Sequence, residues 1–191
     1  MVMKKIMVVE DESIVRLDIV EMLKTAKYHV VSAVSNGEKA IEATAETQPD
    51  LIIMDIKMPK LNGLKASKII SKKYDIPILI LTAYSQNEFV NEAKQSNIVG
   101  YIVKPISESQ LLPAVEIALT QSFRLSNLKQ EVAQSYKQIE NRKRIERAKG
   151  LIMQRLNITE DDAYQKLRKL SMDHQVELEK VAAKVIKQLD S

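Results

Sequence analysis

Acidic, hydroxyl and lysine side chains stand directly after runs of apolar residues in this sequence. They are Glu10 with Asp11, then Asp55, Thr82 and Lys104. Three carboxylates in one pocket would repel one another, and a cation would relieve that repulsion; ligands that are all oxygen suit Mg²⁺. A carboxylate beside Mg²⁺ can attack a phosphoryl group and form an acyl phosphate. The lysine would offset charge on the transferred group, and the threonine hydroxyl could bond one of its oxygens.

The apolar runs themselves predict the element that positions these residues. Their first residues are 24, 21, 27 and 21 positions apart, and amphipathic stretches lie between them. Short apolar strands that alternate with helices indicate a parallel sheet covered on both faces. The predicted fold is α/β, a flavodoxin-like doubly wound sheet of five parallel strands. The runs are residues 6–9, 30–34, 51–54, 78–81 and 99–103.

The polar residues would all lie at the carboxyl ends of these strands, where ligands bind in open α/β sheets. If the first and third strands are neighbours, as in the flavodoxin-like order, Glu10, Asp11 and Asp55 share one pocket. Taken alone, Asp55 could equally cap a turn after its strand.

Residues 1–119 resemble the receiver domain of two-component response regulators. The matching residues are the pair Glu10-Asp11, the segment Met54-Asp55-Ile56-Lys57-Met58-Pro59, Gly63, Thr82-Ala83, Tyr101 and Lys104-Pro105. The resemblance implies that Asp55 is the phosphoacceptor for a sensor histidine kinase. It also implies that the domain accepts phosphoryl groups and hydrolyses its own acyl phosphate as a regulator, not as an enzyme.

The same resemblance implies roles for the neighbouring residues. Asp11, Asp55 and the backbone carbonyl of Lys57 would bind Mg²⁺, with Glu10 acting directly or through water. Thr82 and Tyr101 would form the switch pair, Lys104 would contact the phosphoryl group, and the Lys104–Pro105 peptide would be cis. Two residues depart from the family pattern: Glu10, where many members carry Asp, and Lys57, where small polar side chains are common. An aromatic residue in a fifth strand, such as Tyr101, could instead be simple core.

Composition separates the chain into two parts. Residues 1–119 have a net charge of −1 and residues 120–191 a net charge of +5. All four glycines lie at or before Gly150 and all five prolines at or before Pro113, so the last part is expected to be almost entirely helical. No cysteine is present, which excludes disulfides and thiolate metal sites. The apolar runs are too short to span a membrane, and a cytoplasmic location is expected.

Residues 120–138 are predicted to form a helical, coiled-coil linker. Pro113, just before it, is expected to bend or restart the helix. Apolar residues then follow a 3,4,3,4 spacing that is typical of a coiled coil between two chains. A seam of two heptads is shorter than usual, so packing of this helix within one chain is the alternative. The seam comprises Leu125, Leu128, Val132, Ser135 and Ile139.

The last part of the chain, residues 139–191, is predicted to be a small bundle of three helices. Amphipathic spacing gives one helix that ends near Asn157, a second that begins after Thr159, and a third from Leu178. Residues 137–155 carry a local net charge of +5, so they account for the positive charge of this part. Such a cluster is typical of binding to a phosphate backbone, although a solvated surface is the simpler interpretation.

This part resembles the ANTAR domain of transcription antitermination regulators. The matching segments are Arg147-Ala148-Lys149-Gly150-Leu151-Ile152-Met153, then Asp162-Ala163-Tyr164 and Leu167-Arg168. The resemblance implies binding to tandem RNA stem-loops with six-base loops and a homodimer that holds both loops. Ethanolamine utilisation is one pathway governed by such regulators, and nothing in the sequence selects it. The candidate RNA-binding residues are Arg144, Arg147, Lys149, Gly150, Arg155 and Arg168.

Two of these assignments have structural alternatives. Gly150 could admit close approach of RNA or serve tight helix packing, and Tyr164 could stack on a base or lie in the core. The overall prediction is a phosphorylation-activated antitermination regulator that binds RNA and dimerises, with no membrane partner. The alternatives are a DNA-binding response regulator and a protein-interaction adaptor with a helical tail.

Overall fold

The five apolar runs form five strands of one parallel sheet, as predicted. The computed structural model describes residues 3–83 and 97–189. Two strands, β3 and β4, are buried along their whole length, which explains why their sequences are apolar without alternation. The strands are β1 (Lys5–Val9), β2 (His29–Val34), β3 (Leu51–Asp55), β4 (Ile78–Thr82) and β5 (Ile98–Val103).

The order of the strands is β2-β1-β3-β4-β5, which is the flavodoxin-like order. The prediction that β1 and β3 are neighbours is therefore confirmed. Val9 of β1 pairs with Met54, and Asp55 of β3 pairs with Leu81. This register aligns the carboxyl ends of the three central strands, so the polar residues that follow them meet at one edge.

Helices cover both faces of the sheet. Three of them are α1 (Ser13–Thr25), α2 (Gly37–Thr47) and α3 (Gly63–Lys73), and the side-chain oxygens of Asn36 and Asn62 accept a backbone N–H at the starts of α2 and α3. Alternate strand residues point to opposite faces, which gives two apolar clusters. One cluster packs β-strand residues under α2 and α3, and the other packs them under α1 and the start of the next helix.

The next helix, α4, runs without interruption for 49 residues from Glu108 to Leu156. Leu111, Val115 and Ala118 are buried in the second apolar cluster of the sheet. Pro113 lies between them; the helix does not restart there, so that part of the prediction is wrong, and the predicted bend stays a prediction. A proline removes only one backbone hydrogen bond, and its buried neighbours hold this turn on the sheet. The boundaries predicted after residues 119 and 138 both fall inside this helix and stay predictions.

The predicted seam lies on a solvent-exposed part of α4. Leu125, Leu128, Val132 and Ile139 are each more than half exposed. The described residues leave the seam uncovered, and its pairing with a second chain stays a prediction. A row of exposed aliphatic side chains at heptad spacing is the pattern that a second helix covers.

The chain divides into two compact units, one extending to Ser126 and the other beginning at Asn127. The second unit contains the end of α4, α5 (Glu160–Asp173) and α6 (Leu178–Leu189). Asn157 has a positive φ of 51° directly after α4, and the Thr159 hydroxyl accepts the backbone N–H of Asp162 at the start of α5. Both helix boundaries were predicted. The core comprises Ala148, Ile152, Ala163, Leu167, Val181 and Ala182.

Among the described residues, no helix is both long enough and apolar enough to cross a lipid bilayer.

Two glycines give opposite predictions for stability. A Cβ at Gly63 would lie 1.9 Å from the backbone oxygen of Asp55, whereas a Cβ at Gly150 would meet no atom within 4 Å. Gly63→Ala should lower the free energy of unfolding by about 3 kcal/mol, because backbone must move. Gly150→Ala should raise it by about 0.5–1 kcal/mol, because glycine is costly inside a helix. Urea unfolding followed by circular dichroism measures both, and a destabilised Gly150→Ala variant would show unseen packing at that position.

Candidate functional site

The carboxyl edge of the sheet carries a small cavity at the place predicted for phosphoryl chemistry. Asp55 and Thr82 are the last residues of β3 and β4, while Asp11 and Lys104 follow β1 and β5. All four line a cavity of about 180 Å³. Its remaining lining residues are Glu12, Ile56, Lys57 and Ala83.

Lys104 bridges two buried carboxylates beside this cavity. Its Nζ atom lies 2.7 Å from Oε2 of Glu10 and 3.1 Å from Oδ2 of Asp55. Glu10 is fully buried and Asp55 is 4% exposed. Charges removed from water to this degree are stable only when they are paired, so Lys104 neutralises part of the charge of the acidic pair.

The pKa values of these groups follow from burial and from this pairing. Burial raises the pKa of Glu10, although the hydrogen bond from Lys104 opposes the shift. Burial also raises the pKa of Asp55, and the charge of Lys104 again opposes it. Burial lowers the pKa of Lys104, but the hydrogen bond to Glu10 and the charge of Asp55 outweigh it and leave that pKa raised. The lysine therefore stays protonated between the two carboxylates.

The acidic cluster is compatible with a divalent cation. Carboxylate oxygens of Glu10, Asp11 and Asp55 all lie within 4.8 Å of one another, a set of hard oxygen donors that suits Mg²⁺. Asp11 and Asp55 line the cavity, but Glu10 does not. The longer side chain of Glu10 reaches Lys104, so the ion pair fixes its carboxylate away from the open side of the site.

Sequence reasoning did not identify Arg16, which holds the acidic loop in place. Its Nη1 atom donates to the backbone oxygen of Glu10 at 2.6 Å and to that of Asp11 at 3.3 Å. Arg16 lies in the second turn of α1, so a basic residue five positions after the acidic pair was the available signal. Its guanidinium orients the backbone of both residues.

The two residues of the predicted switch pair lie in different environments. Thr82 is 5% exposed and lines the cavity, whereas Tyr101 is 67% exposed. The alternative that Tyr101 belongs to the core is therefore wrong for this conformation. The peptide between Lys104 and Pro105 is cis, as the resemblance implies.

In the second unit, Lys149 is buried and forms ion pairs with two carboxylates. Its Nζ atom lies 2.8 Å from Glu146 and 2.6 Å from Glu160, and 6.0 Å from the centre of the Tyr164 ring. The residue is only 8% exposed. This arrangement joins α4 to α5, so it gives Lys149 a packing role beside its predicted RNA contact.

The other predicted RNA-binding residues are distributed over different parts of the second unit. Arg144 and Arg147 line a groove of about 340 Å³ together with Lys143, which was not among the predicted contacts. Arg155 and Arg168 are exposed. Gly150 has no side chain packed above it, so the interpretation that it serves tight helix packing is wrong.

Removing Lys104 should destabilise the folded protein, because Glu10 and Asp55 would then repel each other without a counter-charge. Lys104→Met should lower the free energy of unfolding at neutral pH by about 3 kcal/mol, since two buried carboxylates lose their counter-charge. Without Lys104, the pKa values of Glu10 and Asp55 in the folded protein would rise further above their values in the unfolded chain. The loss of stability is therefore largest at a pH above these folded-state pKa values, where both groups are ionised. It becomes smaller as acid protonates the two carboxylates.

Urea unfolding of this variant at neutral and mildly acidic pH measures the effect. Lys60→Met is the control, because Lys60 makes only an exposed pair with Glu38. A loss in Lys104→Met that does not change with pH would contradict the electrostatic explanation.

Comparison with known proteins agrees with both units. Residues 6–116 match the family model described as "Response regulator receiver domain", and residues 133–186 match the one described as "ANTAR domain". The transcriptional regulatory protein PdtaR of Mycobacterium tuberculosis is 37% identical over 186 residues, covering 97% of this chain and 91% of that protein.

Two chemotaxis proteins match the first unit. CheY of Thermotoga maritima is 33% identical over 113 residues, which cover 59% of this chain and 94% of that protein. The structure of CheY4 of Vibrio cholerae superposes with a TM-score of 0.57 at 29% identity, covering 61% of this chain and 98% of that one. The chain therefore belongs to the response regulators that join a receiver domain to an ANTAR domain, a class of transcriptional regulators with an RNA-binding antitermination role.

Proposed function

We propose that phosphorylation of Asp55 controls RNA binding by the second unit, and that this RNA binding promotes antitermination. The observation that carries the first half is the position of Asp55. Its carboxylate borders the cavity and lies 3.1 Å from the ammonium group of Lys104. A nucleophile beside a fixed cation is the arrangement that phosphoryl transfer requires.

In the proposed reaction, an oxygen of Asp55 attacks the phosphorus of a phosphohistidine on a sensor kinase. The new O–P bond gives an acyl phosphate, and the P–N bond breaks so that the imidazole leaves. Mg²⁺, held by Asp11, Asp55 and the backbone carbonyl of Lys57, would supply charge neutralisation for the transferred group. Lys104 already stands beside the attacking carboxylate, so it needs no large movement to meet the new charge.

Phosphorylation would then change the ion pairs at this edge of the sheet. Lys104 now divides its charge between Glu10 and Asp55, and a phosphoryl group on Asp55 would compete with Glu10 for it. The Thr82 hydroxyl, at the cavity wall, would bond a phosphoryl oxygen. Tyr101, exposed in the present conformation, would turn inward as its partner in the switch.

The output is proposed to be a homodimer that binds tandem RNA stem-loops with six-base loops. The exposed heptad seam from Leu125 to Ile139 offers a self-complementary surface to a second copy. The dimer would present two copies of the basic bundle, one for each loop. The RNA contacts predicted from the sequence are Arg144, Arg147, Lys149, Gly150, Arg155 and Arg168, and two of them, Arg144 and Arg147, line the groove.

A DNA-binding output is the second candidate function, because the second unit has three short helical segments and exposed cations. Its second and third helices are joined by residues 174–177 without a glycine. Helix-turn-helix proteins use a tight turn that often contains glycine at this place. A protein-interaction adaptor is the third candidate and predicts no salt-dependent binding of nucleic acid.

Asp55→Asn should abolish phosphorylation by a small-molecule phosphodonor in the presence of Mg²⁺, because the amide is a poor nucleophile. Labelling of the protein, followed by electrophoresis, measures this. Asp18→Asn is the matched control, since Asp18 is an exposed carboxylate on α1, and it should be labelled like the wild type. Retained labelling of Asp55→Asn would rule Asp55 out.

The phosphorylated protein should prefer hairpin RNA to duplex DNA. At fixed salt, a tandem RNA hairpin with six-base loops should bind at least about tenfold more tightly than a duplex DNA of equal length, because unstacked loop bases add contacts to those with phosphates. Competition followed by fluorescence anisotropy measures the ratio. A preference for the duplex would favour the DNA-binding function, and no salt-dependent binding to either would favour the adaptor.

A further inference from the structure

The two sides of α4 in the second unit differ in charge. On the side facing α5, Lys149 is neutralised by Glu146 and Glu160, and the first turn of α5 adds Asp161 and Asp162. An anionic ligand would meet repulsion there. On the side facing α6, cations predominate, so this side is the better surface for an anion.

That side forms a groove with a charged wall and an apolar floor. Lys143, Arg144 and Arg147 of α4 line it opposite Ala183 and Ile186 of α6. Of the described residues that line the groove, Glu140 is the one acid, and it lies 3.3 Å from Arg144. Beside the groove, Asn141 donates a hydrogen bond to Glu179 at 3.1 Å, which ties α4 to α6. The groove is therefore lined by three cationic side chains and one carboxylate, and the α4–α6 hydrogen bond lies beside it.

An exposed aromatic side chain continues the same face of α4. Tyr136 is 67% exposed. It precedes Lys143 by seven residues and Arg147 by eleven, and both spacings return to nearly the same side of an α-helix. An aromatic ring in solvent, in line with a row of cations, is the combination that proteins use to hold a single strand of nucleic acid.

We propose that this groove and Tyr136 form the RNA-loop site of the second unit. The sugar–phosphate backbone of a hairpin loop would lie along Lys143, Arg144 and Arg147, and one unpaired base would stack on the Tyr136 ring. A stacked base must be free of its helix, so the site selects a loop and not a paired stem. This proposal rests on the proposed RNA-binding function. It places the RNA on the α6 side of α4, away from Lys149 and Tyr164.

The charged wall is tested with the full chain and a synthetic RNA that carries two tandem hairpins with six-base loops. The triple variant Lys143→Gln, Arg144→Gln and Arg147→Gln should bind about 100-fold more weakly. Its salt dependence, the slope of log K against log salt, should fall by about 2, since each lost phosphate contact on a single strand contributes about 0.7.

The matched control removes three exposed cations outside the groove: Arg142→Gln, Lys166→Gln and Lys169→Gln. It makes the same change in net charge and should alter affinity less than about threefold if long-range charge alone is lost. Circular dichroism of both triple variants should match the wild type, because the substituted side chains lie at the surface. Equal losses in the two triple variants would show a general charge effect and overturn the site.

The aromatic contact is tested with Tyr136→Ala and Tyr136→Phe. Loss of the ring should weaken binding about tenfold, and phenylalanine should restore it, because stacking needs the ring and not the hydroxyl. A 2-aminopurine placed in turn at each loop position gives a direct readout. Its fluorescence should be quenched on binding at one position with the wild type and Tyr136→Phe, and not with Tyr136→Ala. Quenching that persists with alanine would overturn the stacking role.

The binding results distinguish a wrong assignment of the RNA site from a wrong proposed function. In one outcome, the wild type and the groove variants bind the hairpin RNA equally well, and Arg168→Gln binds it weakly. RNA would then occupy the α5 side of α4, and the proposed site would be wrong. If a loop-free RNA duplex competes as well as the tandem hairpins, the loop-specific site is also wrong. If the wild type binds no RNA, the proposed function itself fails.

Discussion

The ion pairs of Lys104 are the interaction on which the first unit's chemistry depends. A parallel sheet brings the carboxyl ends of its strands together, and here it brings three carboxylates together as well. Such a cluster would be unstable in a buried edge unless a cation stood among them. Lys104 meets that need for Glu10 and Asp55, and Arg16 fixes the backbone of Glu10 and Asp11 from the other side. The carboxylates of Glu10 and Asp55 are therefore both held by the same ammonium group.

The second unit uses its charges in two ways. Lys149 lies inward, pairs with Glu146 of its own helix and joins α4 to α5 through Glu160, whereas Lys143, Arg144 and Arg147 face a groove. Basic residues that are close together in the sequence thus either pack against another helix or line a surface groove. Which of the two they do depends on the side of α4 that they occupy. Net charge alone does not separate these two uses, because they depend on which helix packs against each side of α4.

The sequence was sufficient to predict the sheet and the acidic site, because both depend on patterns that are local in the chain. Apolar runs at regular intervals define the strands, and Asp55, Thr82 and Lys104 immediately follow or end their runs. Contacts between distant segments were not predictable in the same way. The partner of Lys149 on α5 and the groove formed by Arg144 with Ile186 depend on how helices pack. The prediction that the helix restarts at Pro113 failed because the buried contacts of its neighbours outweigh one missing hydrogen bond.

The course of α4 has a consequence for dividing this protein into fragments. The boundary between the two compact units falls after Ser126, in the middle of a continuous helix and not in a loop. Proteases cleave exposed, extended segments, and a hydrogen-bonded helix offers them no such segment at this place. A cut there would leave four unpaired backbone groups at each new helix end, which water and a cap by the Asn127 side chain could satisfy. Residues 123–140 of α4 are exposed and the two cores lie outside this stretch, so a cut at the boundary would leave both cores intact and would cost only fraying of the new helix ends.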